Sequence, residues 1–279
     1  VNQLDRPSPS PHWQGRLQLE YAPRPQGTQL IRSQVQAPLK VQRSFYPEGK
    51  VCHTVILHTA GGIVGGDRLA LEIALQPQAH ALITTAAAAK IYRSNSASAE
   101  QITQIQVGEK ACLEWLPQET IAFAAANYRQ TTRIDLAVGA LWLGWEMTRL
   151  GRSARGERFD AGEWRSRTEV WQQGKPLWID PQQVQGGSTM LDSPHGLSGY
   201  PVVGSFACIG QPIAAELIEA ARQEWSGTGE VGVTSLMQGM LCRYRGHSTL
   251  EMRRWFIKVW NTARLHLLDR PACLPRVWQ

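Results

Sequence analysis

The strictest constraint on this chain is an alternation of apolar and polar side chains through its first two thirds. In DRLALEIALQP, Leu69, Leu71, Ile73 and Leu75 fall on one face, with Arg68, Glu72 and Gln76 on the other. In RLQLEY, Leu17, Leu19 and Tyr21 share a face in the same way. A period of two is the pattern of a half-buried strand, because successive side chains leave opposite faces. QLIRSQVQ, VCHTVILHT and ETIAFAAA read as further strands. QITQIQVGEKACLEWLP reads as a hairpin turning at Gly108-Glu109-Lys110, and TEVWQQGKPLWID as another turning near Gly174. Several short strands separated by turn signals predict a mostly β fold with a layered or sandwich-like β-sheet body.

The last third changes period and predicts two α-helices. In PIAAELIEAARQEW, Ile213, Leu217, Ala220 or Ala221, and Trp225 recur at helical spacing between Pro212 and Gly227. In STLEMRRWFIKVWNTARLHLL, Ser248 and Glu251 form a capping-box pattern. Met252, Phe256, Val259, Ala263 and Leu267 then make one apolar stripe, giving a helix from Thr249 to Leu268. EVGVTSLM and GMLCRYRG read as strands between the helices. AAAAK, Ala86 to Lys90, stays open: its composition favours helix, and the LITT before it favours strand.

With 279 residues and neither an internal repeat nor a linker, the chain reads as a single β-rich domain over 1–279, its first 12 residues a flexible tail. The hydrophobic share of 43% and charged share of 19% exclude a disordered chain. No apolar run approaches the ~18 residues a membrane span needs. The start lacks the layout of a signal peptide, so the expectation is a cytoplasmic protein with no membrane partner. Five dispersed cysteines without a C-x-x-C argue for buried reduced thiols over a zinc ribbon or disulfide framework. The net charge of +6 is scattered, and no aromatic platform accompanies it, so nucleic acid is not an expected partner. The densest basic cluster, with Arg152, Arg155 and Arg158, suits an acidic protein surface or a solvated loop.

The stretch HTAGGIVGGDRL carries Gly61, Gly62, Gly65 and Gly66. It lacks the lysine of a phosphate loop, and a strand follows it, so no helix N-terminus waits for a pyrophosphate. The glycines permit tight turns or close backbone packing. Asp67 follows in register with the buried leucines, and an inward carboxylate must be paired, bonded to backbone or hydrated. It therefore either satisfies turn amides or faces an internal polar passage. There is no G-x-S-x-G, and Asp192, Ser193 and His195 crowd into one turn, which argues against a hydrolase triad. There is no H-E-x-x-H, and His53 and His58 are five residues apart on a strand, so they face opposite sides. Asp67, Glu119, Glu157, Glu163 and Glu169 make no recognisable cage, though such carboxylates could help an ion move. The eleven tryptophans lie mostly in strand or helix patterns, where core or interface packing explains them better than glycan binding. A cytosolic enzyme with a cryptic hydrolytic site and a glycan-binding β module remain the alternatives.

Five segments, in order, carry a resemblance: GGIVGGDRL, TTAAAAKIYRS, LEWLPQETIAF, GRSARGERF and RPACLPRVWQ. Together they are similar to the signatures of the urease accessory protein D family, also called H. Thr59-Ala60 and Ala86-Ala87 depart from the family's usual proline and Pro-Gly. The resemblance implies a mostly β protein with a pair of helices and no catalytic residues. It implies a urease maturation factor that docks on apo-urease with the F accessory protein and the G GTPase and helps deliver nickel. Any nickel would be transient, with no cofactor held tightly. On this reading Asp67, Glu119, Glu157 and Glu169 are candidates for a nickel path or partner groove. Arg152, Arg155, Arg158, Arg253 and Trp255 are candidates for partner contact, the last two lying on the C-terminal helix.

Overall fold

The computed structural model describes residues 12–278. The expected N-terminal tail, apart from His12, lies outside the described residues. β1 (Gln14–Arg24) and β2 (Gly27–Gln36) form a hairpin, and β3 (Leu39–Val41) leads into β4 (Cys52–His58). The chain then runs through β5 (Arg68–Leu75), β6 (His80–Thr85), β7 (Ala89–Ile91), β8 (Ala99–Val107) and β9 (Cys112–Trp115). β10 (Thr120–Ala122), β11 (Ala126–Leu136), β12 (Leu141–Leu150), β13 (Gly162–Gln172) and β14 (Lys175–Gln185) follow. β15 (Val202–Ile209), α1 (Ala215–Gln223), β16 (Glu230–Leu236), β17 (Gly239–Gly246) and α2 (Thr249–Leu268) complete the order. The AAAAK segment forms no helix; it bends and enters β7.

Two sheets are built by alternation. The first has the order β14-β13-β11-β8-β5-β1-β2, and the second runs β16-β17-β15-β12-β9-β6-β4-β3. From β4 to β13 the chain passes back and forth between them, and apart from the short β7 and β10, which pair with each other, each new strand stacks parallel on its predecessor in the same sheet. The result is a solenoid-like coil closed by antiparallel strands at its ends. The hairpin expected at Gly108-Glu109-Lys110 is therefore corrected. β8 belongs to the first sheet and β9 to the second, so that turn is an arch between layers. The amide of Gly108 donates to the Leu75 carbonyl at 2.8 Å, stacking the arch on the strand end beneath it. Arches and hairpins use the same turn residues; what separates them is the long-range partner. The turn at Gly174 does close an antiparallel pair, β13 with β14.

The layers explain the sequence pattern. One core fills the space between the sheets and includes Leu17, Leu19, Leu71, Ile73, Ile105, Ile134 and Val170. The first sheet presents its other face to solvent, which leaves β5 alternating between buried and exposed positions. The second sheet is covered on both sides, because α1 and α2 pack on its outer face. Its central strands are accordingly buried almost throughout, as in β9 and β12, while the edge strand β16 is mostly exposed. The helix layer is rich in aromatic contacts: Trp145 stacks with Phe256 and with Trp278, and Trp255 packs edge-on against Trp225. At the start of α2 the Ser248 hydroxyl accepts from the Glu251 amide at 3.2 Å. The Glu251 carboxylate does not return the bond; it accepts from Thr228 instead, so half of the capping box forms. All five cysteines are free thiols, four of them buried. No helix among the described residues is long and apolar enough to cross a membrane.

Candidate functional site

The glycine-rich stretch and the TTAAAAKIYRS segment form one local structure. The Ile63 amide donates to the Lys90 carbonyl at 2.8 Å, and the Tyr92 amide donates back to Ile63 at 2.9 Å. The Tyr92 hydroxyl reaches the Gly61 carbonyl at 3.0 Å. A Cβ on Gly62 would collide with the Tyr92 ring and the Lys90 carbonyl, and one on Gly65 with Ser94 and the Ala97 carbonyl. These glycines thus permit close packing between chain segments. Gly66 completes the turn, its amide donating to the Ser98 carbonyl at 3.1 Å.

Asp67 sits at the entrance of β5, 1% exposed. Its Oδ1 accepts the Trp13 amide at 3.0 Å, and its Oδ2 accepts the Val64 amide at 2.9 Å. Both oxygens are thereby engaged by backbone. Glu119 forms an ion pair with Arg253, so a path candidate and a partner candidate meet and tie α2 to the loop before β10. Glu157 lies in a loop, gripped by Arg152 at 2.7 and 3.0 Å, and this pairing lowers its pKa. Arg152 also lies over the Phe123 ring. Glu169 stands on the outer face of the first sheet, bonded to the Trp171 indole at 2.7 Å and paired with Arg167. Arg158 pairs with Asp192 at 2.8 Å, while Arg155 is exposed. Trp255 is 1% exposed and donates to the Ala221 carbonyl at 3.1 Å, packing α2 against α1. The four carboxylates named from sequence thus stand apart from one another.

A different set converges. A cavity of about 200 Å³ lies between the two sheets, walled in part by the Gly61-Gly62 turn and the Ala86–Lys90 segment. Polar ladders run across the two sheets at its level, and Gln101, Gln130, Thr132, Glu146, Thr168, Asp180 and Ser205 of them line it. Across the first sheet, Thr103, Thr132, Thr168 and Asp180 occupy paired positions on β8, β11, β13 and β14, all buried. Gln130 pairs in register with Gln101 and with Ser166 one pleat away. Across the second sheet, Glu146, Ser205 and Arg243 are aligned on β12, β15 and β17. An apolar sandwich would place branched aliphatics here, so this band is a departure from core packing.

Two acids face the cavity, in different states. Asp180 is held by Arg243 Nη2 at 2.5 Å and by Gln182 Nε2 at 2.8 Å. Glu146 is partly buried, and among the described residues its side chain takes one hydrogen bond, from the Ser166 hydroxyl at 2.8 Å. Burial pushes its pKa up to about 7; the bond from Ser166 opposes the shift, Asp180 adds to it and Arg243 opposes it. Glu146 therefore exchanges a proton near neutrality, where a cation can replace it. His58 lines the same cavity. Its Nδ1 lies 3.1 Å from the Ala60 carbonyl, which only accepts, so that nitrogen carries the proton. Its Nε2 is buried with no hydrogen-bond partner among the described residues, and in the neutral ring it offers a lone pair. Carboxylate and imidazole are the donors a borderline divalent cation takes.

Glu146 and Asp180 were missed in the sequence reading. The signal was present: Glu146 interrupts the apolar run LWLGWEM, and an acid inside a strand buried on both faces demands an explanation.

Residues 14–279 match the family model described as UreD urease accessory protein. This chain belongs to the UreD family of urease accessory proteins. It is 62% identical over 268 residues to the urease accessory protein UreD of Nostoc punctiforme, covering 96% of each chain. It is 54% identical to the UreD of Acaryochloris marina, covering 100% of this chain and 99% of that one. A more distant relative, the UreD of an Azoarcus species, is 41% identical over 96% of this chain and 94% of its own. The family resemblance drawn from the five sequence segments is shown by these matches.

Proposed function

We propose that this chain is a non-enzymatic maturation factor of urease in the cytoplasm, docking on apo-urease with the F accessory protein and the G GTPase. In that assembly the inter-sheet cavity receives nickel in transit. The observation that carries the reading is the cavity itself, where Glu146 and the orphan Nε2 of His58 face one space in a member of the UreD family. Among the described residues Glu146 has no direct cationic partner, so it can exchange its proton for a metal ion and take it back when the ion leaves. Asp180, already neutralised by Arg243, sets the field around it. Arg155, Arg158 and their neighbours form an exposed basic loop suited to an acidic protein surface. Tight resident metal is not part of this reading, because a conduit must release what it holds.

The test is Glu146→Gln, with His58→Gln beside it, co-expressed with urease and the F and G proteins. The expected result is retained complex formation with reduced nickel per urease. Normal nickel loading in both variants at wild-type protein levels would refute the cavity as a route. Failure of the wild-type chain to co-purify with urease or with either partner would refute the docking.

A further inference from the structure

On the opposite side of the second sheet from the cavity, near the end of α2, a second group of donors meets. Glu48 lies on a loop closed by the backbone bridge between Phe45 and His53. Its Oε1 lies 2.7 Å from Nε2 of His53, a residue only 3% exposed. Its Oε2 is held at 2.6 Å by Arg264, which is fully buried, and Arg270 stands 3.8 Å away. The chain after α2 returns over this point and brings Cys273 to it. Glu48, His53 and Cys273 each offer one ligand atom, and the three atoms lie within 4.8 Å of one another.

The geometry points to a site for one divalent first-row transition metal ion, of the Ni²⁺ or Zn²⁺ type, ligated by Glu48, His53 and Cys273. This site is separate from the cavity and does not depend on its role. The donor set of one thiolate, one imidazole and one carboxylate selects a borderline ion over Mg²⁺ or Ca²⁺. Arg264 and Arg270 face the same carboxylate but engage its other oxygen, leaving Oε1 turned toward His53. Arg264 thus fixes the carboxylate orientation, as partners outside a ligand set commonly do. The tail is anchored on both sides of the cysteine. Before it, the Pro271 carbonyl accepts from Arg264 at 2.7 Å and the Ala272 amide donates to Asn261 at 2.8 Å. After it, the Trp278 indole donates to Thr84 at 3.0 Å. Among the described residues the Cys273 sulfur enters no hydrogen bond, so its position is not explained by that network. Glu48 and Cys273 are only partly buried, which leaves an approach from solvent. On binding, the Cys273 thiol proton leaves to solvent as the metal–sulfur bond forms. His53 presents its Nε2 lone pair in the Nδ1–H tautomer: a hydrogen between Nε2 and Glu48 leaves to solvent as Nδ1 takes one up, with no net change on the ring.

Cobalt titration of the full chain tests the site, because a thiolate on Co²⁺ gives a near-ultraviolet charge-transfer band and no cysteine lines the cavity. One equivalent of Co²⁺ is expected to produce the band, and Ni²⁺ or Zn²⁺ to displace it. Cys273→Ser should abolish the band and weaken binding at this site by at least about tenfold, the lower end of what losing even an outer partner costs. Glu146→Gln and Cys52→Ala should leave it intact. Cys273→Ser removes no hydrogen bond, so it remains informative if His53→Gln fails to fold. Absence of the band in the folded wild type, or an unchanged band in Cys273→Ser, would overturn the site. A band that persists in Glu146→Gln while nickel loading of urease falls would separate this site from the cavity.

Discussion

Glu146→Gln also reports on the physical state of the cavity, through stability alone. Glu146 is partly buried between the sheets, and burial pushes its pKa up to about 7, against 4.5 for the ordinary side chain. A folded state that holds its proton more tightly than the unfolded state loses stability as pH rises between those two values. Below the lower value both states are protonated and the penalty is absent; above the upper one it is complete. The interval of two to three pH units corresponds to about 3 kcal/mol at full effect. Glutamine preserves the volume and the acceptor for Ser166 but cannot ionise. The variant should therefore match the wild type at about pH 4 and below and exceed it by up to about 3 kcal/mol near about pH 8. For a chain of this size that is on the order of 5 °C in midpoint. Asp180, Arg243 and every other titrating group are common to both proteins and cancel in the difference. Calorimetry or denaturant unfolding across the pH range measures it. A difference that stays flat with pH, or that grows as pH falls, would show that Glu146 does not carry a raised pKa.

Three further substitutions probe the frame. Arg264→Met removes the buried cation that both Glu48 and Glu114 contact, and should cost about 3–5 kcal/mol in urea unfolding; a loss below about 1 kcal/mol would refute a structural role for Arg264. Asp67→Ala orphans the amides of Trp13 and Val64 and should lower stability by about 1–3 kcal/mol. Nickel loading that falls only as far as soluble protein falls marks Asp67 as a turn acceptor, whereas loading lost at full stability marks a role in the route. Ser248→Ala removes the hydroxyl that accepts from Glu251 and should cost about 1 kcal/mol, seen first as faster amide exchange in the opening turn of α2.

What the sequence by itself determined follows from local contrast. β5 was legible because one face of the first sheet meets water, so its large apolar side chains fall on every second residue, with charged or small ones between. α2 was legible because Ser248 marks its start and its apolar stripe faces the second sheet. The glycine-rich stretch was legible as turns, and its five-segment context carried the family. The coil was not legible, since parallel stacking pairs β5 with β8 and β8 with β11 across long separations, and an arch reads locally like a hairpin. The candidate site was hidden for the same reason. His58, Glu146 and Asp180 stand far apart along the chain, and only winding it through two facing sheets brings them to one cavity. Tertiary structure alone decided that, and with it the raised pKa of Glu146, because desolvation is imposed by layers that no single segment contains.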